Sequence, residues 1–375
     1  MRYRAYGNTG IKVSALGFGA MHLPMIGQGK DARVNDELAI PLLREAYDAG
    51  INYFDTAWFY CNDDSQRAVG KALKDVRDKV YIATKLPVHL VKERDDFWKF
   101  LFGAMEQMDT EYVDFYHFHG IGAEGFAKLK ELKIVESAER ALAKGYIKHL
   151  SFSFHDNPDA LRELVDTGLF SSLLCQYNLI FRDLEENIAY AASKGVGVAV
   201  MGPVAGGMLA KGGKDFLDRI HSDAENAAEM AFRFVWGNPG VSTALSGMRN
   251  VEQLRENLKY AQGSDSVPPG EVDALCHGAE ELKKRNDVYC TGCDYCKVCP
   301  KDINPSFTFK QYINHKVWGF SEEAKSSFKW LGTGGLWNTT HPDECDGCGA
   351  CSERCPQKLD IPAELKRISG ILKAL

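Results

Sequence analysis

Short apolar runs alternate with longer amphipathic stretches over roughly the first 262 residues of the chain. The runs are "VSALGFGAM", "INYFDTA", "KVYIATKL", "YVDFYHFH", "IKHLSFS", "SLLCQYN", "GVGVAVMGP" and "VSTALSGM", eight in all. Most are rich in β-branched and aromatic residues, the composition of strands buried on both faces of a parallel sheet. Helical periodicity fills the gaps. "NDELAIPLLREAYDAG" predicts a helix with Leu38, Leu42, Leu43 and Ala46 on one face and Gly50 as its stop. "NPDALRELVDTG" predicts another, opened by Asn157-Pro158. Eight strands in strict alternation with helices predict a (β/α)8 barrel. An open doubly wound sheet is the second choice, but its first turn normally carries GxGxxG, and "GFGAMH" does not. Ahead of the first run, "YRAYGNTGIKVS" predicts a hairpin turning at Gly7-Asn8-Thr9-Gly10.

The periodicity ends at "QGSDSVPPGEVD", where Pro268, Pro269 and Gly270 break regular structure. Beyond it the composition changes. Eight of the 11 cysteines lie after residue 289. The expected organisation is a barrel over 1–262, a linker and helix over 263–285, and a small α+β cysteine-rich domain over 286–375. The 375 residues suffice for both. A net charge of −6 provides no basic field for nucleic acid or an anionic membrane, so neither is expected as a partner. "MRYRAYGNTG" has no signal-peptide core and no stretch is long and apolar enough to span a bilayer, so a cytoplasmic location is expected. There, clustered cysteines serve metals or clusters more often than disulfides.

In such a barrel, chemistry sits where strands give way to loops. Asp55 closes the second run, with Tyr60 in the loop after it; Lys85 closes the third run and His119 the fourth. Each alone reads as packing or solvated surface. Together they form a set with a purpose. A phenol with a pKa near ~10 is a poor acid at neutral pH, an adjacent ammonium lowers that value, and a buried Lys needs a carboxylate partner. With an imidazole to orient a substrate oxygen, this is equipment for protonating a carbonyl as hydride reaches its carbon.

The chain resembles the aldo-keto reductase family in "LGFGAM", "FDTAWFY", "ATK", "VDFYHFH", "SFS", "QYN", "GPVAGGML" and "SGMRNVEQLRENL", all in family order. The resemblance implies Tyr60 as general acid, Asp55 and Lys85 tuning it, and His119 orienting a small-molecule carbonyl. It implies a dinucleotide, NADP(H) or NAD(H). The nicotinamide end falls on Ser153, Gln176 and Met201, the pyrophosphate on the loop of Gly206, and the adenosine end on Gly247, Met248, Arg249, Gln253, Glu256 and Asn257, with Gly19, Ala20, Met21, Gly202 and Pro203 as further cofactor contacts. Phe154 stands where many members have Asn, and Gly247 and Gln253 where NADPH-preferring members have cations, which leaves Arg249 as the cation of that stretch. Trp58 and Phe59 are expected to wall the substrate pocket. His22, His89 and His155 follow the first, third and fifth runs, and His117 shares the strand face of His119 by alternation.

Cys290, Cys293 and Cys296 form C-x2-C-x2-C, followed by Cys299-Pro300; Cys345, Cys348 and Cys351 repeat the spacing, followed by Cys355-Pro356. The second run is the bacterial ferredoxin pattern, in which the fourth cysteine ligates the other cluster. Two 4Fe-4S clusters are expected, one on Cys290, Cys293, Cys296 and Cys355, the other on Cys345, Cys348, Cys351 and Cys299. A zinc ribbon is the alternative, since paired C-x2-C motifs also hold Zn²⁺. The whole resembles the branch of aldo-keto reductases that ends in a ferredoxin-like module. Nicotinamides move electron pairs as hydride, whereas cubanes move single electrons. The clusters therefore either are structural or sense redox state, or they pass electrons to the barrel site or to a redox partner protein.

Overall fold

The structure, a computed structural model, describes residues 1–262, 267–268, 270–288, 290, 292, 294–333 and 339–375. Cys293 and Trp337 fall outside them. The chain divides into two compact units. One comprises Met1–Gly207 and Glu229–Val272, the other Met208–Ala228 and Asp273–Leu375.

The first unit is a closed barrel of eight parallel strands. We number them β1 (Leu16–Gly19), β2 (Tyr53–Asp55), β3 (Tyr81–Leu86), β4 (Val113–Ile121), β5 (Ile147–Phe154), β6 (Ser172–Gln176), β7 (Gly197–Met201) and β8 (Thr243–Ser246). Each falls on one of the eight apolar runs, with β4 reaching two residues and β5 one residue beyond its run. Neighbours follow chain order, and β8 closes on β1 through Ala244 opposite Leu16. The closed barrel displaces the open-sheet alternative. Its interior is filled by Tyr53, Ala83, Phe115, Leu174, Ala199 and Leu245, inward positions on six of the eight strands of a packed barrel core.

The expected hairpin forms from Tyr3–Ala5 and Lys12–Ser14 and stoppers the N-terminal end. Its Tyr6 enters the interior edge-on to Phe115 at 4.9 Å and to Tyr53 at 5.4 Å. The turn presses so closely on the chain before β7 that a Cβ at Gly7 would stand 2.3 Å from the Gly195 carbonyl, and its φ is +55°. Only glycine meets both demands.

The helix Asp36–Asp48 is capped by the Asn35 side chain and buries Ala39, Leu42, Leu43 and Ala46. The expected face was one residue out. Leu38 is 57% exposed and Ala39 takes its place, because the 3.6-residue period carries Leu38 round to solvent once Leu42 and Leu43 face the barrel.

The second unit is mostly helical, with Glu271–Lys283, Pro305–Lys316, Ser321–Lys329 and Ile361–Ala374 its longer helices. Among the described residues its β content beyond residue 273 is a single bridge, Ile303 to Thr340, less sheet than the α+β expectation. Val288, Phe309, Tyr312, Phe328, Leu365 and Ile368 form a core that includes Cys296, Cys351 and Cys355. Trp318 is buried, whereas Trp330 is 67% exposed. The segment 208–228, which follows β7, belongs to this unit. The Phe216 ring lies 5.3 Å from that of Phe320, Lys211 pairs with Glu323 at 2.8 Å, and the Ile220 backbone packs on Gly278. No helix of the described residues is long and apolar enough to cross a membrane.

Candidate functional site

Register brings the polar strand ends together. Asp55 of β2 lies opposite Gly19 of β1 and Ala83 of β3, and Lys85 of β3 lies opposite His117 of β4. Lys85 Nζ donates to Asp55 Oδ1 at 2.5 Å and to the Thr56 carbonyl at 2.7 Å. It also stands 4.7 Å from the centre of the Tyr60 ring. The pair is sealed from solvent, at 1% exposure for Lys85 and 3% for Asp55. Phe59 stacks flat on His119 at 4.8 Å, and Tyr60 meets His119 edge-on at 6.1 Å. Asp55, Tyr60, Lys85 and His119 thus converge at the C-terminal rim. Thr56 was not singled out from the sequence. It acts through its carbonyl, which every residue carries, so no side-chain signal marks it.

The loop holding Tyr60 is strained. Cys61, Asn62 and Asp63 have φ of 54°, 54° and 64°, three successive left-handed residues. Asn62 Nδ2 pins the turn by donating to the Gly29 and Ala32 carbonyls, each at 3.0 Å. Asp64 accepts from the Val34 N–H at 2.8 Å.

Burial governs the protonation states. It raises the Tyr60 phenol above its ordinary range, and the lowering effect of Lys85 reduces that rise without reversing it. An adjacent ammonium lowers a phenol's pKa, but enclosure of the ring outweighs it here. Burial opposes the Lys85 charge, yet the Asp55 carboxylate holds its pKa up. The Asp55 carboxyl is raised by burial, against the pull of Lys85, and its Oδ2 has no hydrogen-bond partner among the described residues. Burial, with Lys85 adding to it, lowers His119 to about 2, and His89, His117 and His155 gather around it. His117, 0% exposed, is lowered to about 3 for the same two reasons.

These two imidazoles make stability pH-dependent. Folded, both stay neutral; unfolded, both take up protons below their ordinary pKa of 6.5. The unfolded state then binds more protons, so stability is retained above pH 6.5 and lost as pH falls below it. Unfolding free energy should fall by ~3 kcal/mol between about pH 6.5 and pH 5 for the two groups. Urea midpoints across that range check this, and His117→Gln should remove about half of the slope.

The nucleotide candidates fall at the ends of β1 and β5 to β8. Ser153 Oγ accepts from the Gly120 N–H at 2.8 Å, which fixes its rotamer and leaves its own proton free to donate. Gln176 is exposed at the end of β6 and Met201 half-buried at the end of β7. Gly19 is half-buried, Ala20 buried and Met21 exposed. Gly202 and Gly206 have φ of 63° and 69°, with Pro203 buried between them. After β8, Gly247 is exposed and Met248 buried. Arg249 is exposed; burial lowers the pKa of His22, and the Arg249 charge adds to that. Gln253 accepts from the Arg249 N–H at 2.8 Å and so braces the loop. Asn257 donates to Ser246 at 2.9 Å, and Glu256 accepts from Tyr260 at 2.6 Å. Of the expected pocket walls, Phe59 faces His119, but Trp58 turns onto the helix Asp96–Gln107, edge-on to Phe100 at 5.0 Å.

In the second unit, Cys299, Cys345, Cys348 and Cys351 line one cavity. Cys290, Cys296 and Cys355 line another. Cysteines near each other in sequence are thus divided between cavities, and each cavity takes a thiol from the other run. Gly292, Gly347 and Gly349 have positive φ and open space where a side chain would stand. Among the described residues no three His, Cys, Asp or Glu side chains are placed to hold a single metal ion.

Residues 15–266 match the aldo/keto reductase family, and residues 289–359 match the 4Fe-4S dicluster domain. L-galactose dehydrogenase of Arabidopsis thaliana is 28% identical over 74% of this chain and 95% of its own. The uncharacterized oxidoreductase YqkF of Bacillus subtilis is 26% identical over 77% of this chain and 98% of its own. The holo form of the aldo-keto reductase AKR11C1 from Bacillus halodurans superposes with a TM-score of 0.62 at 24% identity, covering 74% of this chain and 96% of that one, a likeness of fold. With a closed eight-stranded barrel, polar strand ends gathered on one rim and a family match across it, the chain belongs to the aldo/keto reductase family and carries a C-terminal 4Fe-4S dicluster domain.

Proposed function

We propose that this protein interconverts a carbonyl compound and its alcohol with a nicotinamide cofactor, Tyr60 giving and taking the proton. The observation that carries this reading is the buried Lys85–Asp55 pair at 2.5 Å with Lys85 Nζ 4.7 Å from the Tyr60 ring. Bound nicotinamide supplies or accepts hydride, and each bound cluster supplies a single-electron couple. Tyr60 O–H protonates the carbonyl oxygen, and the Lys85 ammonium stabilises the phenolate left behind. Asp55 keeps Lys85 charged despite burial. His119, neutral at working pH, offers one ring N–H to the same oxygen. Ser153 and Gln176 would hold the carboxamide and Met201 the ring face. Arg249 favours NADPH through its 2′-phosphate, with NADH the alternative. Phe59, exposed beside His119, offers an apolar face to substrate. One relative is named for a sugar, L-galactose, so aldoses belong in the substrate panel beside simple aldehydes and ketones. Cys290, Cys293, Cys296 and Cys355 would hold one 4Fe-4S cluster, and Cys345, Cys348, Cys351 and Cys299 the other.

The test is nucleotide oxidation by cluster-loaded protein across that panel under anaerobic conditions, with NADPH and NADH. Absence of turnover with every carbonyl, and with the corresponding alcohols in reverse, would overturn the reading. A second reading, electron transfer through the clusters, is favoured by the two thiol-lined cavities. Titrating with either nucleotide while following visible absorbance and EPR separates the two. Clusters that stay oxidised while nucleotide binds leave the reductase reading; clusters that become reduced favour the second.

A further inference from the structure

The two thiol-lined cavities of the cysteine-bearing unit have unlike walls. The cavity of Cys299, Cys345, Cys348 and Cys351 is also lined by Lys301 and Asp346. Lys301 Nζ donates to the Glu344 carbonyl at 2.9 Å and pairs with Asp346 at 3.3 Å, and Asp346 accepts from the Cys348 N–H at 3.2 Å. Both signs of charge stand on this wall, and the ammonium is held there by two partners. The cavity of Cys290, Cys296 and Cys355 is lined by Asp294, and among the described residues no Lys or Arg joins it. Asp294 accepts from the Ser306 hydroxyl and pairs with Lys297 at 2.7 Å. Lys297 and Lys310 act on the Asp294 charge without lining the cavity. Enclosure differs as well. Cys296 and Cys355 belong to the core of this unit, as does Cys351, and Cys290, Cys299 and Cys345 pack against it. Cys348 is in neither group and is exposed.

Reduction adds a negative charge to a cubane that four thiolates already make anionic. A nearby ammonium stabilises the added charge, whereas a carboxylate and withdrawal from water both oppose it. Wall charge and enclosure therefore act in one direction. We propose that the two clusters are unequal electron acceptors, so that one electron from a one-electron reductant comes to rest on the cluster of Cys299, Cys345, Cys348 and Cys351, with Lys301 and Asp294 setting the order. The cluster of Cys290, Cys293, Cys296 and Cys355 is reduced second. The proposal rests on the reading that each cavity holds one 4Fe-4S cluster. It gives the domain a direction, with the first electron always at the same end.

The experiment is an anaerobic dithionite titration of full-length, cluster-loaded protein with redox mediators, followed by EPR, with iron and sulfide assayed in parallel. Wild type should show two midpoints. The equilibrium between the clusters should favour the first by at least about tenfold, which for one electron is about 59 mV. Lys301→Gln keeps a donor for the Glu344 carbonyl and should lower the higher midpoint by a comparable step, leaving the lower one in place. Asp294→Asn should raise the lower midpoint alone. Asp294 has a φ of 64°, a backbone that Asn tolerates. Cys348→Ala should lose about half of the iron and, with it, the higher midpoint. One midpoint for both clusters, or loss of the lower midpoint in Cys348→Ala, would overturn the order. Midpoints unmoved by both Lys301→Gln and Asp294→Asn would overturn the part given to those residues. Should Cys348→Ala fail to fold, the two charge variants identify the clusters by themselves, and Lys301→Gln moving the lower midpoint would overturn the order. Wild type assembling well under about eight iron atoms would overturn the two-cluster reading, and the order with it.

Discussion

Replacing Tyr60 by Phe should lower kcat by about 10²- to 10⁴-fold, the usual worth of a positioned proton donor, and leave nucleotide affinity unchanged. The phenyl ring keeps the edge contact with Phe59 at 5.9 Å and the place beneath the Lys85 ammonium. What it lacks is the proton. Steady-state rates with the best carbonyl of the panel, paired with nucleotide titrations, separate a chemical defect from a binding one. The wild-type pH profile should agree. Burial keeps the phenol protonated beyond its ordinary pKa of 10.0, so no alkaline loss of the reducing activity from Tyr60 is expected below that value. Protonation of His119, lowered to about 2, should leave no limb near neutrality. Turnover of Tyr60→Phe equal to wild type would remove the phenol from the chemistry.

Replacing Cys299 by Ser should empty the cavity of the other cysteine run. Cys299 follows Cys296 by three residues in sequence, yet it lines the cavity of Cys345, Cys348 and Cys351, while Cys355 lines that of Cys290 and Cys296. With one cubane in each cavity, Cys299→Ser should lower iron from about eight atoms per chain to about four. The cluster that remains should be the one on Cys290, Cys293, Cys296 and Cys355. Adding Cys290→Ser should then remove most of the remaining iron, whereas adding Cys348→Ser should change little. Iron and sulfide assays with EPR of the reduced protein decide the matter. The opposite result, with Cys348→Ser removing the second half, would mean that each run keeps its own cluster. The barrel should survive either change, since its closed sheet and core draw on none of these residues.

The strands and the strand-end tetrad were legible because each depends on local order. An apolar run of seven to nine residues between amphipathic stretches marks a buried strand wherever it falls. Asp55, Lys85 and His119 sit where such runs end. What was not legible depends on degrees of freedom that residue order does not carry. Trp58 and Phe59 are neighbours of similar apolar character, yet Trp58 packs on Phe100 and Phe59 on His119. On helix Asp36–Asp48, Leu38 and Ala39 both fit a helical stripe, and only packing against the barrel selects the smaller Ala39. The pKa of Tyr60 needed the depth of its enclosure as well as the presence of a cation. The allegiance of 208–228 runs against chain order altogether. It lies between β7 and β8, yet packs with residues that follow position 273, and only long-range contacts disclose it.

The left-handed turn at Cys61, Asn62 and Asp63 limits how this site can diverge. Each such residue costs ~1–2 kcal/mol relative to ordinary backbone, with Asn and Asp the most tolerant side chains after glycine. A β-branched or bulky replacement at any of the three adds to a penalty already present and threatens the placement of the phenol that precedes them. The chain on the C-terminal side of Tyr60 thus has a narrow amino-acid vocabulary. Phe59, 42% exposed and outside the turn, has a wide one. Laboratory evolution for a new substrate should therefore accumulate its changes at position 59 and leave positions 61–63 almost untouched, whatever substrate is being selected for.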